Sequence, residues 1–506
     1  MQILKEHSIQ DYTLTFRRPD SGEYELVLRY QGAGNHFAVH KSVQLLDNTG
    51  KFLQMQELDP VHFDELAQNI ERFGPTEGMY LTRASTEVRV MMPSTKKMQP
   101  EDVRHTKTVQ ESSYTATGEK LNAHWPIFKK LQQTGMGSII RATMTNHQVC
   151  MSHCQYCSTI GRNKKDSVSL QEAKNFVEKL YYDQAEYNRK HHSELNALYK
   201  EVTGSDIRLR GLILSGGGQP NIWPHFAEFV EWLRGLDISL GLITNGFPLK
   251  VKDDVYTAFD WVRISVTPEN ASPFYPQGKF NLQRIPETLK HNPDITLGLS
   301  YVYGPWTEDE ILNRLEVAAT DWGADYVRLL TDCNLSRDIQ LRSHQALAER
   351  LFNLGLIKED GTPTGHIFHQ LKYHGTPEEA SELWDQGQCH LQSFNVFWDT
   401  TGHEDQGHSS CYPCDSVTVL AEEITGQPGD DGQLPERKFN SEKWGTVKNT
   451  EVERLYTEPV QPYFDPRNQC SACLFVKNNQ TAKDLSQLSD YSDIKIDNRI
   501  AHVNFP

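Results

Sequence analysis

Cys150, Cys154 and Cys157 place three thiols within eight residues, Cys150-Met-Ser-His-Cys154-Gln-Tyr-Cys157. Thiolates are soft ligands, and a short loop carrying three of them suits iron–sulfur ligation. Three thiolates leave one iron of a four-iron cluster without a protein ligand, so a substrate or cofactor can bind there. The spacing therefore points to chemistry at a metal more than to electron storage. Zinc held by the same thiolates and completed by His147 or His153 is the alternative that spacing alone leaves standing.

Five of the other cysteines lie in the last quarter of the chain: Cys389, the pair Cys411-Tyr-Pro-Cys414 and the pair Cys470-Ser-Ala-Cys473. Two close pairs are a second metal signal, and zinc would fit Cys411, Cys414, Cys470 and Cys473. Cys333 stands alone, and a lone cysteine is commonly a buried, inert thiol. Nine cysteines grouped in this way read as metal ligands in a reducing, cytoplasmic compartment and not as a disulfide scaffold.

These groups need elements to position them. Between about residues 123 and 360 the pattern repeats strand, loop, helix. The predicted strands are Ser138–Met144, Leu209–Leu214, Ser239–Thr244, Trp261–Val266, Thr296–Val302 and Tyr326–Leu330. Ser169-Leu-Gln-Glu172 and Thr307-Glu-Asp-Glu310 read as capping boxes opening helices, and Pro224 as a first-turn proline. Strands alternating with helices imply a parallel sheet with right-handed crossovers, here an α/β partial (β/α)6 barrel. In such folds the reactive site lies at the carboxyl ends of the strands. The three-cysteine loop directly follows the first strand, so it falls on that face.

Residues 1–96 read as a separate N-terminal α+β accessory domain. Its strands are Tyr12–Phe16, Tyr24–Tyr30 and Val88–Met92, with a helix over Asp59–Phe73. Residues 97–122 are polar and without an apolar period, a linker. Residues 361–475 form a C-terminal cysteine-bearing domain, helical and connective over 361–388, with a loop over Glu422–Asn440. Residues 476–506 are a tail, and its Ile500–Phe505 run could dock as a last strand. His366, His369, His403 and His408 read as surface or loop residues.

The formal net charge of -16 gives no general attraction to phosphate backbones or anionic lipid, so nucleic-acid partners are disfavoured. The basic run Arg162-Asn-Lys-Lys165 reads as solvated surface. No stretch approaches the roughly 18–20 apolar residues of a membrane span, and Met1–Thr13 has no signal-peptide pattern.

The triplet, with Tyr156 just before its last cysteine, resembles the cluster motif of the radical S-adenosylmethionine (radical SAM) superfamily. Ser215-Gly216-Gly217-Gly218-Gln219-Pro220 resembles that family's glycine motif, with Gln219 where the motif usually has Glu. Thr244-Asn245-Gly246 and Arg263-Ile-Ser265-Val-Thr267 resemble later strand-end motifs, Thr267 standing where an acidic residue is usual. Ser300 and Arg328 fall at the ends of the fifth and sixth strands. Cys389, the segment Phe397–Gly402 with Cys411 and Cys414, and Cys470–Phe475 resemble a SPASM or twitch auxiliary-cluster domain, with fewer cysteines than the full pattern.

The resemblance implies a [4Fe-4S] cluster on Cys150, Cys154 and Cys157 that binds S-adenosyl-L-methionine. It implies cofactor contacts from Tyr156, Gly216, Gly217, Gly218, Gln219, Pro220, Asn245, Ser265, Ser300 and Arg328. One auxiliary [4Fe-4S] cluster would take Cys389, Cys411, Cys470 and Cys473, with Cys414 a fifth candidate. Reductive cleavage would give a 5′-deoxyadenosyl radical that abstracts a hydrogen atom from a substrate C–H bond, with flavodoxin or ferredoxin as electron donor. Peptide maturation is the first expectation and dehydrogenation of a small polar or sugar-like metabolite the second; a metal-binding scaffold without catalysis is the third. Cys333 is then a candidate hydrogen donor to a substrate radical.

Overall fold

The structure is a computed structural model. It describes residues 114–115, 117–150, 152, 154, 156–157, 159, 163–246, 251–267, 284–304, 307–333, 337–371, 389–400, 409–415, 447–460, 473 and 475–506. It also describes the backbone of ten strands in 2–91 and 422–439. The expected helix over Asp59–Phe73 lies outside the described residues, as do Cys470, His153, His403 and His408.

The N-terminal region holds two four-stranded sheets. The first is an antiparallel meander of β1 (Gln2–Ile9), β2 (Tyr12–Arg18), β3 (Glu25–Tyr30) and β4 (Phe37–His40). The second, of β5 (Ser42–Leu46), β6 (Phe52–Glu57), β7 (Met79–Tyr80) and β8 (Glu87–Met91), has the order β6-β5-β8-β7 and pairs β5 with β8 in parallel.

The expected parallel sheet follows. Its strands are β9 (Arg141–Met144), β10 (Gly211–Leu214), β11 (Ser239–Thr244), β12 (Trp261–Ser265), β13 (Thr296–Tyr303) and β14 (Tyr326–Thr331), each parallel to the next. Successive side chains on a strand point to opposite faces. One set, including Ala142, Met144, Leu212, Leu214, Val262, Ile264, Leu299 and Leu329, is buried in the main apolar core. The alternate set, including Thr143, Ile213, Ile243, Arg263, Ser265, Ser300 and Arg328, lines an interior cavity. The strands read as apolar runs because one face meets the helices, while the polar interruptions mark the other face. Gly241 and Gly298 are on this inner face; a Cβ on either would meet the ring of Trp261 or Tyr326.

The helix opening at Leu170 has the expected capping box: Ser169 Oγ accepts from Glu172 N at 3.2 Å and Ser169 N donates to Glu172 Oε2 at 2.9 Å. The helical run that it opens is segmented. A π segment, Lys179–Asp183, interrupts it, and Ser193–Thr203 is a separate helix. Buried Gln184, just past the π turn, clamps both backbone groups of Ile139 at 2.8 and 2.9 Å. Two other expectations are corrected. Helix Asp309–Trp322 has Glu308 at its cap with no side-chain cap bond, because Thr307 Oγ1 accepts from Gly304 N instead. Helix Phe226–Leu233 starts after His225, so Pro224 stands outside its first turn.

The parallel sheet takes strands from beyond residue 360. β15 (Ile367–Gln370) extends it past β14, and β16 (Asn395–Asp399) pairs in parallel with β9 on the other side. β17 (Ser410–Tyr412) follows antiparallel; β18 (Glu422–Thr425) and β19 (Glu436–Phe439) form a separate hairpin; β20 (Val447–Lys448) closes the order β15-β14-β13-β12-β11-β10-β9-β16-β17-β20. β15 also corrects the reading of His369. It is buried, its ring 4.4 Å from that of His344.

The Ile500–Phe505 run is not a strand; it crosses the amino ends of the barrel strands in turns. His502 Nε2 lies 2.7 Å from Thr296 Oγ1, Asn504 Nδ2 donates to Ser239 Oγ at 2.9 Å, and Phe505 meets the Trp261 ring edge-on. Arg141 Nη1 donates to the Pro506 carbonyl. Gly211 has no side chain because the Asn504 carbonyl occupies that space. Gly211→Val should lift this segment from the strand ends. Amide exchange of Phe505, whose N–H donates to His502 O at 3.0 Å, would then accelerate while the sheet keeps its protection. Unchanged exchange would show that the segment does not depend on that seat.

Candidate active site

The carboxyl ends of β9–β14 open into one cavity of about 810 Å³. Cys150, Cys154 and Cys157, all half-buried, line it, and so do Tyr156, Gly216, Gly217, Gly218, Asn245, Ser265, Thr267, Ser300, Arg328 and Cys333. Gln219 and Pro220 are buried behind the wall and do not line it.

The cysteine loop is held at its base. Gln148 N donates to Asp166 O at 2.9 Å and Val168 N to Asn146 O at 3.1 Å, closing the loop's two ends together. From β16, Asp399 Oδ1 accepts from Thr145 Oγ1 at 2.8 Å and from Gln148 Nε2 at 2.9 Å. Within the loop Ser152 N points at Cys150 Sγ (3.4 Å), and Cys157 Sγ lies 3.5 Å from Thr159 Oγ1. Thr159 Oγ1 donates onward to Gly217 O at 3.1 Å, tying the loop to the glycine turn.

The glycines have a packing reason as well as a ligand-facing one. A Cβ on Gly218 would lie 2.5 Å from the carbonyls of both His147 and Val149, so only glycine lets this turn lie against the base of the cysteine loop. Gln219 N donates to Val149 O at 2.7 Å, completing that seam. His147 Nε2 donates to Gln219 O at 2.6 Å, which directs its ring to the turn. The Gln219 side chain, 3% exposed, bonds Asn221 and Thr244 Oγ1 through Nε2 and accepts from Asn245 N at 2.9 Å through Oε1. Asn245 Nδ2 in turn donates to Ser152 Oγ at 3.0 Å. Gln219 thus positions the third strand's turn against the cysteine loop.

Across the barrel, Ser265, Ser300 and Arg328 are direct register neighbours on β12, β13 and β14, forming one polar row. One layer deeper stands Arg263, two residues before Ser265 on the same face, and at the amino end Arg141. Lys120, Tyr114 and Thr115 come from the stretch read as a linker, and Lys477 and Asn478 from the stretch read as a tail. Burial, and then the neighbouring Arg141 charge, bring Lys120 down to about 7. Burial also lowers Arg141, with Asp415 and Cys414 opposing and Arg263 reinforcing. The period of two, carried inward from Ser265, was the signal that could have found Arg263; Lys120 and Lys477 had no local signal.

The C-terminal cysteines separate. Asn479 lies between Cys389 and Cys473, with Cys389 Sγ 3.7 Å from its Oδ1 and its Nδ2 3.6 Å from Cys473 Sγ. Burial, then the charge of Cys473, push Cys389 up to about 12. Cys414 shares an apolar cluster with Cys389, Phe394 and Phe397. Cys411, 1% exposed, faces the opposite side of β17 into the main core with Trp398 and Val447, and burial alone raises its thiol. Strand alternation thus puts Cys411 in the main core and Cys414 in the cluster that holds Cys389.

Among the described residues no three His, Cys, Asp or Glu side chains gather closely enough to hold one metal ion. A cluster takes each thiolate at a different iron, so its ligands surround a volume and need not converge on a point. Three thiols around one end of a cavity fit that demand better than a single zinc. Gln219→Ala should leave the Asn245 N–H without its acceptor, at a cost of about 1–3 kcal/mol, read as a lower urea midpoint. An unchanged midpoint would remove Gln219 from this positioning role.

No protein-family model matches the chain, and no curated protein matches it. Among solved structures it is similar to Streptococcus suis SuiB bound to S-adenosylmethionine, at 10% identity and a TM-score of 0.38, over 66% of this chain and 67% of that one. SuiB bound to precursor peptide SuiA aligns over 94% of both chains at 11% identity and a TM-score of 0.42. BtrN in complex with AdoMet and 2-DOIA aligns over 68% of this chain and 98% of its own at 11% identity and a TM-score of 0.30. An enolase of the mandelate racemase subgroup from Agrobacterium tumefaciens is also similar, at 11% identity and a TM-score of 0.20 over 74% of this chain and 87% of that one. SuiB and BtrN are radical SAM enzymes, the family that the cysteine triplet and glycine turn of this chain resemble.

Proposed function

We propose that the chain is a radical SAM enzyme whose cysteine loop holds a four-iron cluster through Cys150, Cys154 and Cys157. The observation that carries the reading is the convergence of those thiols, the glycine turn and the row Ser265–Ser300–Arg328 on one cavity. With S-adenosylmethionine bound, such a cluster would supply one-electron cleavage of the sulfonium bond and so hydrogen abstraction from a C–H bond. This chain's residues do the positioning. The Gly216–Gly218 backbone and Asn245 bind the cofactor's polar end; Ser265, Ser300 and Arg328 orient its carboxylate and ribose; Tyr156 packs beside it. Cys389, Cys414, Cys470 and Cys473 would hold a second four-iron cluster. Burial raises the thiols of Cys389 and Cys473, so loading there would release protons and strengthen as pH rises. Flavodoxin or ferredoxin supplies the electron.

The cavity is near the upper end of the about 300–1,000 Å³ of ligand pockets, leaving room beside the cofactor for a group of amino-acid size. We take a peptide as the first substrate reading. The two N-terminal sheets end in β1, β4, β6 and β7, and an extended peptide can add to such edges through its backbone. Dehydrogenation of a small polar metabolite is the second, favoured by the polar and charged lining that Arg141, Arg263 and Asp415 give the cavity. Cys333, buried and facing the cavity, is the candidate donor of a hydrogen atom to a substrate radical.

Anaerobic reconstitution should give about eight irons per chain and, on reduction, 5′-deoxyadenosine. Cys150→Ala should leave about four irons and no 5′-deoxyadenosine. Cys414→Ser should also leave about four but keep reductive cleavage, while Cys411→Ser keeps all eight. A chain that loads only zinc would end the proposal, and iron lost on Cys411→Ser but not Cys414→Ser would reverse the ligand assignment. Cys333→Ala should abolish deuterium incorporation from heavy water into product; unchanged product and rate would clear Cys333 of that role.

A further inference from the structure

This inference rests on the radical SAM reading for the upper half of the cavity and concerns the lower half. Arg328 lies level with Ser265 and Ser300 and belongs to the cofactor end. Arg263 is one layer deeper and Arg141 at the strand's amino end, with Lys120 beside it. Lys120 and Arg141 are 2% and 7% exposed, yet both face the cavity. Arg141 spends Nη1 on the Pro506 carbonyl, while its buried Nε has no hydrogen-bond partner. Two carboxylates, Glu119 and Asp415, reach the same space, and Asp415 offsets Arg141 in part. Arg141 and Arg263 carry fixed charge and Lys120, brought down to about 7, carries part of its own; an anion among them would hold Lys120 protonated and recover part of the cost of burying these groups. Above Arg141 the wall is aliphatic at Ile213 and, level with Arg263, at Ile243.

We propose that this lower chamber is the substrate site and that it takes a carboxylate, with Lys120, Arg141 and Arg263 on the anion and the aliphatic wall against the carbon chain that carries it. A guanidinium pairs a carboxylate through two parallel N–H bonds, which fixes the chain's direction as well as its charge. The reacting C–H bond then points up the barrel toward the cofactor. A small dicarboxylate and an acidic side chain of a peptide share this chemistry.

Calorimetry on the reconstituted holoprotein with S-adenosylmethionine tests it. The probes are glutarate against glutaramide, and the capped tripeptide acetyl-Ala-Glu-Ala-amide against its Gln counterpart. The acid of at least one pair should bind about tenfold or more tighter than its amide. Arg263→Gln should erase that preference and Arg263→Lys keep part of it, with circular dichroism confirming that both variants fold. Preference in the glutarate pair alone assigns a small-molecule source, and in the peptide pair alone an acidic peptide. A smaller preference in both pairs, no binding of either acid, or a preference that survives Arg263→Gln overturns the proposal. Release of 5′-deoxyadenosine from the same protein without any probe checks the cofactor reading separately.

Discussion

The cysteine loop depends on one buried carboxyl oxygen. Asp399 Oδ1 accepts from Thr145 Oγ1 and Gln148 Nε2, residues that lie 254 and 251 positions away in the chain. Leaving such buried donors unpaired would cost about 1–3 kcal/mol each. The bonds do more than stabilise. They lock the exit of β9, from which the loop springs, to the exit of β16, from which the C-terminal cysteine region proceeds. A short loop with three thiols has little apolar area of its own to fix its shape. It takes its shape from the seams on either side, the glycine turn on one and the end of β16 on the other.

That dependence explains what the sequence could and could not disclose. Strands β9–β14 were legible because each is a short apolar run bounded by turn residues, and the capping box at Ser169 because it is local. The glycine turn was legible for the same reason. The roles of Asp399, Lys120 and Lys477 were not, because their partners are distant in sequence and no local period announces them. Cys411 and Cys414 show the limit from the other side. Spacing marks both as ligand candidates, but only the direction of β17 shows that Cys411 packs in the main core while Cys414 packs with Cys389.

Composition misleads about the interior in a similar way. A formal charge of -16 describes the whole chain and argues against polyanionic partners at the surface. It says nothing of the inner face of a barrel, where a few residues per strand set the field. Arg141, Arg263 and Arg328 occupy inward positions of three different strands, and the helical segments carrying Lys120 and Lys477 add to them from outside the barrel. An acidic protein can therefore enclose a cationic chamber, and the chamber's sign bears on what enters it.

The division of that chamber follows from strand geometry. Side chains facing one way recur every second residue, so each step inward along a strand opens a new layer. The top layers carry the thiol loop, the glycine turn and the Ser265–Ser300–Arg328 row; the next carries Arg263; the lowest meets Arg141 and the segment around His502 and Phe505. Gly241 and Gly298 give up their side chains on this inner face, and the rings of Trp261 and Tyr326 fill the space, so the lower walls are packed. A ligand seated on Arg263 would thus lie below one seated on the polar row. The same alternation turns Cys411 into the main core, away from the apolar cluster that holds Cys389 and Cys414.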